Sequence, residues 1–244
     1  MRWSLFFLPW VVLGLSQCSQ VAPPPGFSDV SVPVFGSRTN AASVAQVQSG
    51  GVEGLRKSIH LKVDLVPKGT HGRKVIRPMN PRYITIHSTQ NFSADAERHS
   101  LALKRGALRA PKRKGGNRIG YLIWHFTVDD RLAIQHMPTN EQGEHADFDG
   151  PGNNYSIGIE MCEQRGSNLQ STIDRTARLT AYLMHRHQIP ISHVVPHYHW
   201  PRHGVSQPHK NCPHFLLDHG RPGRKWSNFQ SLVMKYYNAA KTPA

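Results

Sequence analysis

The hexapeptide RYITIH (Arg82–His87) alternates in polarity with the two-residue period of a β-strand. Ile84 and Ile86 fall on one face, whereas Thr85 and His87 fall on the other. Because successive side chains of a strand point to opposite sides of its sheet, the isoleucines predict a face that is buried against helices. The opposite face then carries a polar residue, His87, where the strand ends.

Strand and helix patterns alternate along the chain on both sides of this hexapeptide. Such alternation indicates the α/β class: a single domain with a central mixed β-sheet flanked by helices and a polar site on one face of the sheet. The patterns predict strands at 119–130, 154–163 and 193–197, helices at 93–105 (capped by Ser93) and 169–187, and a C-terminal helical stripe of Trp226, Phe229, Val233 and Tyr237.

The N-terminal segment predicts export. Residues 1–18 carry a single early Arg2 followed by an apolar run that is too short to anchor in a bilayer, as in a secretory signal peptide. The run ends in LSQC, and a Leu three residues before Cys18 resembles the lipobox of bacterial lipoproteins. Gln17 departs from the small residue usual in the lipobox, so cleavage without lipidation stays open. We expect a protein of the cell envelope, either lipid-anchored through Cys18 in the periplasm or outer membrane, or secreted.

The composition changes near residue 60. Residues 19–60 are rich in Ser, Val, Pro and Gly and show little periodicity, which is typical of a flexible tether. Residues 61–244 are predicted to form the folded domain. A chain of 244 residues with 38% hydrophobic composition has enough apolar side chains for one sizeable core.

The net charge of +15 implies attraction to polyanions. An exported protein rarely meets its own nucleic acid, so we expect no nucleic-acid partner. The cell envelope offers teichoic acids, phospholipid surfaces and the carboxylates of peptidoglycan instead, and the charge alone does not choose among them.

Two cysteines remain after the signal region, Cys162 and Cys212. In an oxidising compartment one interpretation is a disulfide between them. The alternative is a metal-bound thiolate at Cys212, and the two interpretations exclude each other because only a thiolate coordinates a metal.

Polar side chains converge on the face opposite the isoleucines. His87, His125 and Glu160 come from three predicted strands, and a fourth short strand ends at His197. A metal site needs ligands held by rigid elements in this way. The run VVPHYHWPRHGVSQPHKNCPHF (Val194–Phe215) adds five histidines and one cysteine, which points to the same chemistry.

Together with YITIHST, WHFTVDD, GEHADF and NYSIGIEMCE, this run resembles the zinc-dependent N-acetylmuramoyl-L-alanine amidase family, which includes phage amidase endolysins and peptidoglycan-recognition proteins. The resemblance extends over residues 61–237. It implies a zinc-dependent peptidoglycan hydrolase that cleaves the amide bond between N-acetylmuramic acid and L-alanine of the stem peptide. It also implies Zn2+ as cofactor, peptidoglycan or muropeptides as substrate, and a monomer.

The resemblance assigns the site residue by residue. It implies three zinc ligands: His87 at the end of ITIH, His197 in HYHW and Cys212 in KNCP. Glu160 in IGIE matches the general base, and Lys210, two residues before the third ligand, matches the residue that stabilises the oxyanion.

Two further residues are expected to bind substrate. His145 in GEHADF matches a histidine of the family's substrate cleft, and its alternative is a loop histidine without a role. Trp124 stands where some members carry a catalytic Tyr, and its alternative is packing within the sheet. His199, His203 and His209 receive no assignment.

The donor set agrees with this resemblance. Two imidazoles and one thiolate leave a fourth zinc position for water, which is the arrangement of a catalytic site. Two other functions stay open: a catalytically inactive peptidoglycan-binding protein of the same fold, and a basic surface-binding or nucleic-acid-binding protein with incidental histidines.

Overall fold

The computed structural model describes residues 38–110, 119–201 and 210–241. A six-stranded sheet lies between helices, and α1 is kinked at Gly51, whose φ is 56°. The elements in chain order are α1 Arg38–Ser58, β1 Leu61–Val63, β2 Tyr83–Ser88, α2 Ala96–Lys104, β3 Phe126–Val128, β4 Ala133–Gln135, α3 Pro151–Tyr155, β5 Ser156–Met161, α4 Leu169–His187, β6 Val194–Pro196 and α5 Arg224–Lys241.

The strand order in the sheet is β1-β4-β3-β5-β2-β6. Only β3 and β4 pair antiparallel, and the other four neighbouring pairs are parallel. The sheet is therefore mixed, and the prediction of an α/β domain with helices flanking a mixed sheet is confirmed.

One face of the sheet is covered by the main core. Ile84 and Ile86 of β2 and Ile157 and Ile159 of β5 are fully buried there, as their alternation predicts. The helices α1, α4 and α5 supply the other side of this core. The predicted C-terminal stripe is part of it, through Trp226, Phe229 and Val233.

Of the two predicted helices, α4 begins at the predicted residue and α2 does not. α4 has the predicted bounds, with Asn168 as its N-cap and Gln188 in the left-handed region after its last residue. α2 begins later than predicted, because the side chain of Asp95 caps it. The hydroxyl of Ser93, the predicted cap, instead donates to the side chain of Asn91.

The prediction of a flexible tether over residues 19–60 is wrong for α1. Val47, Leu55 and Ile59 are fully buried in the main core, and α1 packs against α4 and α5. These apolar residues are few and are separated by Gly, Ala, Ser and Gln. Their spacing is therefore too sparse to predict an amphipathic helix. The folded domain therefore includes α1 and begins before residue 61.

Residues 1–37, which contain the predicted signal peptide and Cys18, lie outside the described residues. Of the helices that the structure describes, none is both long and apolar enough to cross a membrane.

Candidate metal centre

A row of polar side chains crosses the sheet on the face opposite the main core. In the strand register His87 of β2 lies beside Glu160 of β5, which lies beside Thr127 of β3. The Nδ1 atom of His87 is 3.8 Å from Oε1 of Glu160. Strand pairing alone therefore brings the first predicted ligand and the predicted base together.

His87, His197 and Cys212 converge at the end of this row. Their ligand atoms all lie within 4.8 Å of one another, and all three residues are buried. The Nδ1 atoms of the two histidines are 2.9 Å apart. Within the described ranges, no other group of His, Cys, Asp or Glu has the spacing of a metal site.

Cys212 is held against β2 and against the segment that carries His197. The backbone N–H of Ser88 donates to Sγ of Cys212 at 3.3 Å, and the N–H of Tyr198 donates to the Cys212 carbonyl at 3.1 Å. The contact of Ser88 could not be predicted from the sequence, because a backbone N–H donor is common to nearly all residue types. Burial raises the pKa of the Cys212 thiol to about 12, and the nearby Glu160 acts in the same direction. A bound cation reverses this preference, since a coordinated thiol is deprotonated.

The donor set fits zinc. Imidazole nitrogen and thiolate sulfur are the ligands that Zn2+ takes in proteins, and three protein ligands leave one position open. Burial, reinforced by His197 and His145, holds the pKa of His87 well below its usual value. The ring is therefore neutral, which is the form that binds a metal.

Glu160 is nearly buried, with 14% of its side chain exposed. Burial raises its pKa to about 8, while the positive charge of Lys210 lowers it and Glu163 raises it further. Its Oε2 atom is buried and has no hydrogen-bond partner among the described residues. A carboxyl group with a pKa near neutrality can both accept and return a proton.

Lys210 is exposed and lies two residues before Cys212. Its charge acts on His87, Glu160 and Cys212, lowering the pKa of each. The structure thus brings the predicted oxyanion-stabilising residue into electrostatic range of the centre.

His145 lies beside His87 rather than facing away from the protein. Its Nδ1 is 3.0 Å from Nε2 of His87, and its Nε2 is 3.3 Å from the carbonyl oxygen of Ser156. Both ring nitrogens thus lie within hydrogen-bonding distance of protein atoms, and the contact of His145 with substrate stays a prediction.

Trp124, which is predicted to contact substrate, packs inside the protein, as in the alternative interpretation of packing within the sheet. The residue is 5% exposed and packs with Leu103, Ile123 and Met137 in a small second core. The indole N–H donates to the hydroxyl of Thr127. An aromatic residue next to a strand histidine is used here for packing.

Of the two interpretations of the cysteines, the structure does not contain the disulfide. Cys162 and Cys212 are both free, and the sulfur of Cys162 lies 3.7 Å from Nδ1 of His99. Cys162 packs against Ala96 and Ile134, whereas Cys212 belongs to the metal centre. The thiolate interpretation of Cys212 is the one that the geometry allows.

The remaining histidines of the opening motifs are placed elsewhere. His125 is fully buried, with Nε2 2.8 Å from the Glu141 carbonyl and Nδ1 accepting the N–H of Gly158. His214 lies 3.4 Å from the carboxylate of Glu163. His203 and His209 lie outside the described residues.

Comparison with known proteins agrees with the fold and with this centre. The profile of the N-acetylmuramoyl-L-alanine amidase family matches residues 77–215. The chain is 36% identical over 178 residues to the N-acetylmuramoyl-L-alanine amidase XlyA of Bacillus subtilis (strain 168), covering 72% of this chain and 51% of that protein. It is 35% identical over 175 residues to CwlH of the same organism, covering 70% of this chain and 60% of that protein.

A solved structure, that of the catalytic domain of XlyA, superposes with a TM-score of 0.57 at 36% identity. The match covers 71% of this chain and 98% of that domain. The chain therefore belongs to the N-acetylmuramoyl-L-alanine amidase family. It spans between half and two thirds of the length of these two curated relatives.

Proposed function

We propose that this chain is a zinc-dependent peptidoglycan hydrolase that cleaves the amide bond between N-acetylmuramic acid and L-alanine of the stem peptide. The observation that carries the proposal is the convergence of His87, His197 and Cys212 within 4.8 Å, beside Glu160. Binding of peptidoglycan without hydrolysis does not require a complete ligand set with an adjacent carboxylate, whereas hydrolysis does.

The chemistry is a hydrolysis. His87, His197 and Cys212 would hold zinc, which supplies a Lewis acid that makes water a nucleophile near neutral pH. Glu160 takes a proton from the attacking water and returns it to the nitrogen of the departing L-alanine as the C–N bond breaks. Lys210 places its positive charge where the carbonyl oxygen of the substrate becomes negative.

Action on peptidoglycan requires a location outside the cytoplasm. Residues 1–18 support a signal peptide, and LSQC supports a lipid on Cys18. We therefore place the enzyme in the cell envelope, held at a membrane by lipid or secreted. Metabolic labelling with a clickable fatty acid tests the lipidation of Cys18. We expect label on the wild-type chain and none on Cys18→Ser, and label that persists in Cys18→Ser would exclude lipidation at Cys18.

The activity is tested with the full chain purified in mild detergent. Zinc-loaded and chelator-treated protein are incubated with peptidoglycan, and new L-alanine amino termini are counted. We expect release only in the zinc-loaded sample, and none from Cys212→Ala. Zinc binding without any release would instead favour the binding protein, and release by Cys212→Ala would refute the ligand assignment.

A further inference from the structure

We propose that the dipeptide His145–Ala146 orients the two histidine ligands of the metal centre. The His145 ring and the Ala146 carbonyl engage the outer ring nitrogens of both histidine ligands and fix each in the tautomer that presents Nδ1 to the metal. This inference rests on the proposed zinc function and assigns positioning residues, which do not touch the substrate.

The Ala146 carbonyl sets the tautomer of His197. Its oxygen lies 3.0 Å from Nε2 of His197. A carbonyl oxygen only accepts hydrogen bonds, so Nε2 must carry the ring hydrogen. A neutral imidazole has a single N–H, and Nδ1 of His197 is therefore left with a lone pair.

The Ser156 carbonyl sets the tautomer of His87 indirectly, through the His145 ring. The Ser156 carbonyl lies 3.3 Å from Nε2 of His145, so that nitrogen carries the hydrogen of the His145 ring. Nδ1 of His145 is then an acceptor, and it lies 3.0 Å from Nε2 of His87. His87 must donate from Nε2, which leaves its Nδ1 with a lone pair.

Both tautomers therefore direct lone pairs into the centre. The two Nδ1 atoms are 2.9 Å apart, and two lone pairs at this distance repel each other unless a cation lies between them. Partners on the outer nitrogen of a ligating histidine commonly fix its tautomer and ring orientation in this way. The protein thus presents the centre as a site for a cation before any metal binds.

The dipeptide is itself held rigidly. The side-chain oxygen of Asn153 accepts the backbone N–H groups of His145 and Ala146, each at 2.8 Å. A Cβ atom at Gly158 would lie 2.8 Å from the His145 ring, and one at Gly143 would lie 2.5 Å from it. Two glycines therefore leave just enough room for the ring to reach His87.

A matched pair of substitutions separates this role from packing. His145→Asn keeps an acceptor oxygen near the position of Nδ1, whereas His145→Leu has the same branched shape and no acceptor. The probe is Zn2+ alone, and the readout is its Kd from competition with a chromogenic chelator, measured without substrate. We expect Zn2+ to bind about 10–100-fold more weakly to His145→Leu, and within about threefold of wild type to His145→Asn.

Three outcomes overturn the proposal. If His145→Leu bound Zn2+ as tightly as wild type, His145 would have no positioning role. If both variants bound Zn2+ equally weakly, the effect of His145 would be one of packing alone. If His145→Leu had an unchanged Kd for Zn2+ but a raised KM for peptidoglycan, His145 would be a substrate-binding residue instead.

A second measurement does not require any variant to fold. Long-range 15N–1H spectra of the metal-free wild-type chain, with ring resonances assigned, report which nitrogen of each histidine carries the hydrogen. We expect Nε2 for His87, His145 and His197, and a hydrogen on Nδ1 of any of them overturns the proposal. If these tautomers are found but the enzyme releases no L-alanine termini, the proposed function fails and this inference stands.

Discussion

His87 and Glu160 are register partners on the parallel strands β2 and β5, with Nδ1 and Oε1 3.8 Å apart on the same face of the sheet. Their separation is set by backbone pairing in the centre of the sheet rather than by a loop. Sites built on strands hold their geometry more tightly than sites on loops. The distance between the proposed base Glu160 and the proposed metal ligand His87 is therefore set by the fold.

Replacing the carboxyl group of Glu160 by an amide should slow turnover strongly without weakening metal binding. Glu160→Gln keeps the volume of the side chain but cannot accept the proton, so kcat should fall by about 10²–10⁴-fold. The Kd for Zn2+ should stay close to that of wild type, since Glu160 is not a ligand. A kcat within tenfold of wild type would show that another group is the base.

Lys210 should matter for the chemical step. Lys210→Met removes the charge that we propose stabilises the developing oxyanion, and kcat should fall by about 10²–10³-fold with zinc bound normally. Lys68→Met is the matched control, because Lys68 is exposed and lies outside the centre. Equal activities of the two variants would remove Lys210 from the mechanism.

Helix α1 should contribute to the stability of the domain. Leu55 is fully buried in the main core, so Leu55→Ala should lower the free energy of unfolding in urea by about 2–5 kcal/mol. Val52 is 39% exposed on the same helix, and Val52→Ala should change it by less than about 0.5 kcal/mol. If the two variants were equally stable, α1 would not be part of the folded domain.

Two buried histidines should make the protein sensitive to acid. Burial lowers the pKa of His125 to about 4 and that of His136 to about 3. The unfolded chain binds protons near pH 6.5 and the folded chain does not, so stability is complete above pH 6.5 and declines as pH falls below it. Each histidine should account for about 2 kcal/mol of the loss between pH 8 and pH 5.

The His136 contribution is isolated by His136→Gln. A glutamine does not titrate, and its side-chain amide can replace Nε2, which lies 2.8 Å from the Thr127 hydroxyl, as either donor or acceptor. Urea unfolding at pH 8 and pH 5 should show a smaller loss in this variant than in wild type. An identical loss in both proteins would mean that His136 is not the group that titrates.

The sequence was most informative where the period of the pattern and the packing agree. The alternation around Ile84 and Ile86 predicts both the buried face and the side on which His87 lies, and α4 has a strong apolar stripe and the predicted bounds. The three zinc ligands came from the family resemblance, because no periodicity relates His87 to Cys212.

The errors share a physical origin, which is contact between residues far apart in the chain. The apolar residues of α1 are too sparse to predict a helix, and burial against α4 and α5 supplies what its sequence lacks. His145 could be placed near the site by motif, but its partner His87 is visible only in three dimensions. The same holds for Asn153, whose role is to accept two backbone N–H groups.

Zinc K-edge X-ray absorption on the purified, zinc-loaded chain tests the central claim most directly, since it reports the atoms bound to the metal. We predict one sulfur at about 2.3 Å and two imidazole nitrogens at about 2.0 Å, with the sulfur contribution absent in Cys212→Ala. A first shell without sulfur in the wild-type chain, or with two sulfurs, would contradict a centre built from His87, His197 and Cys212.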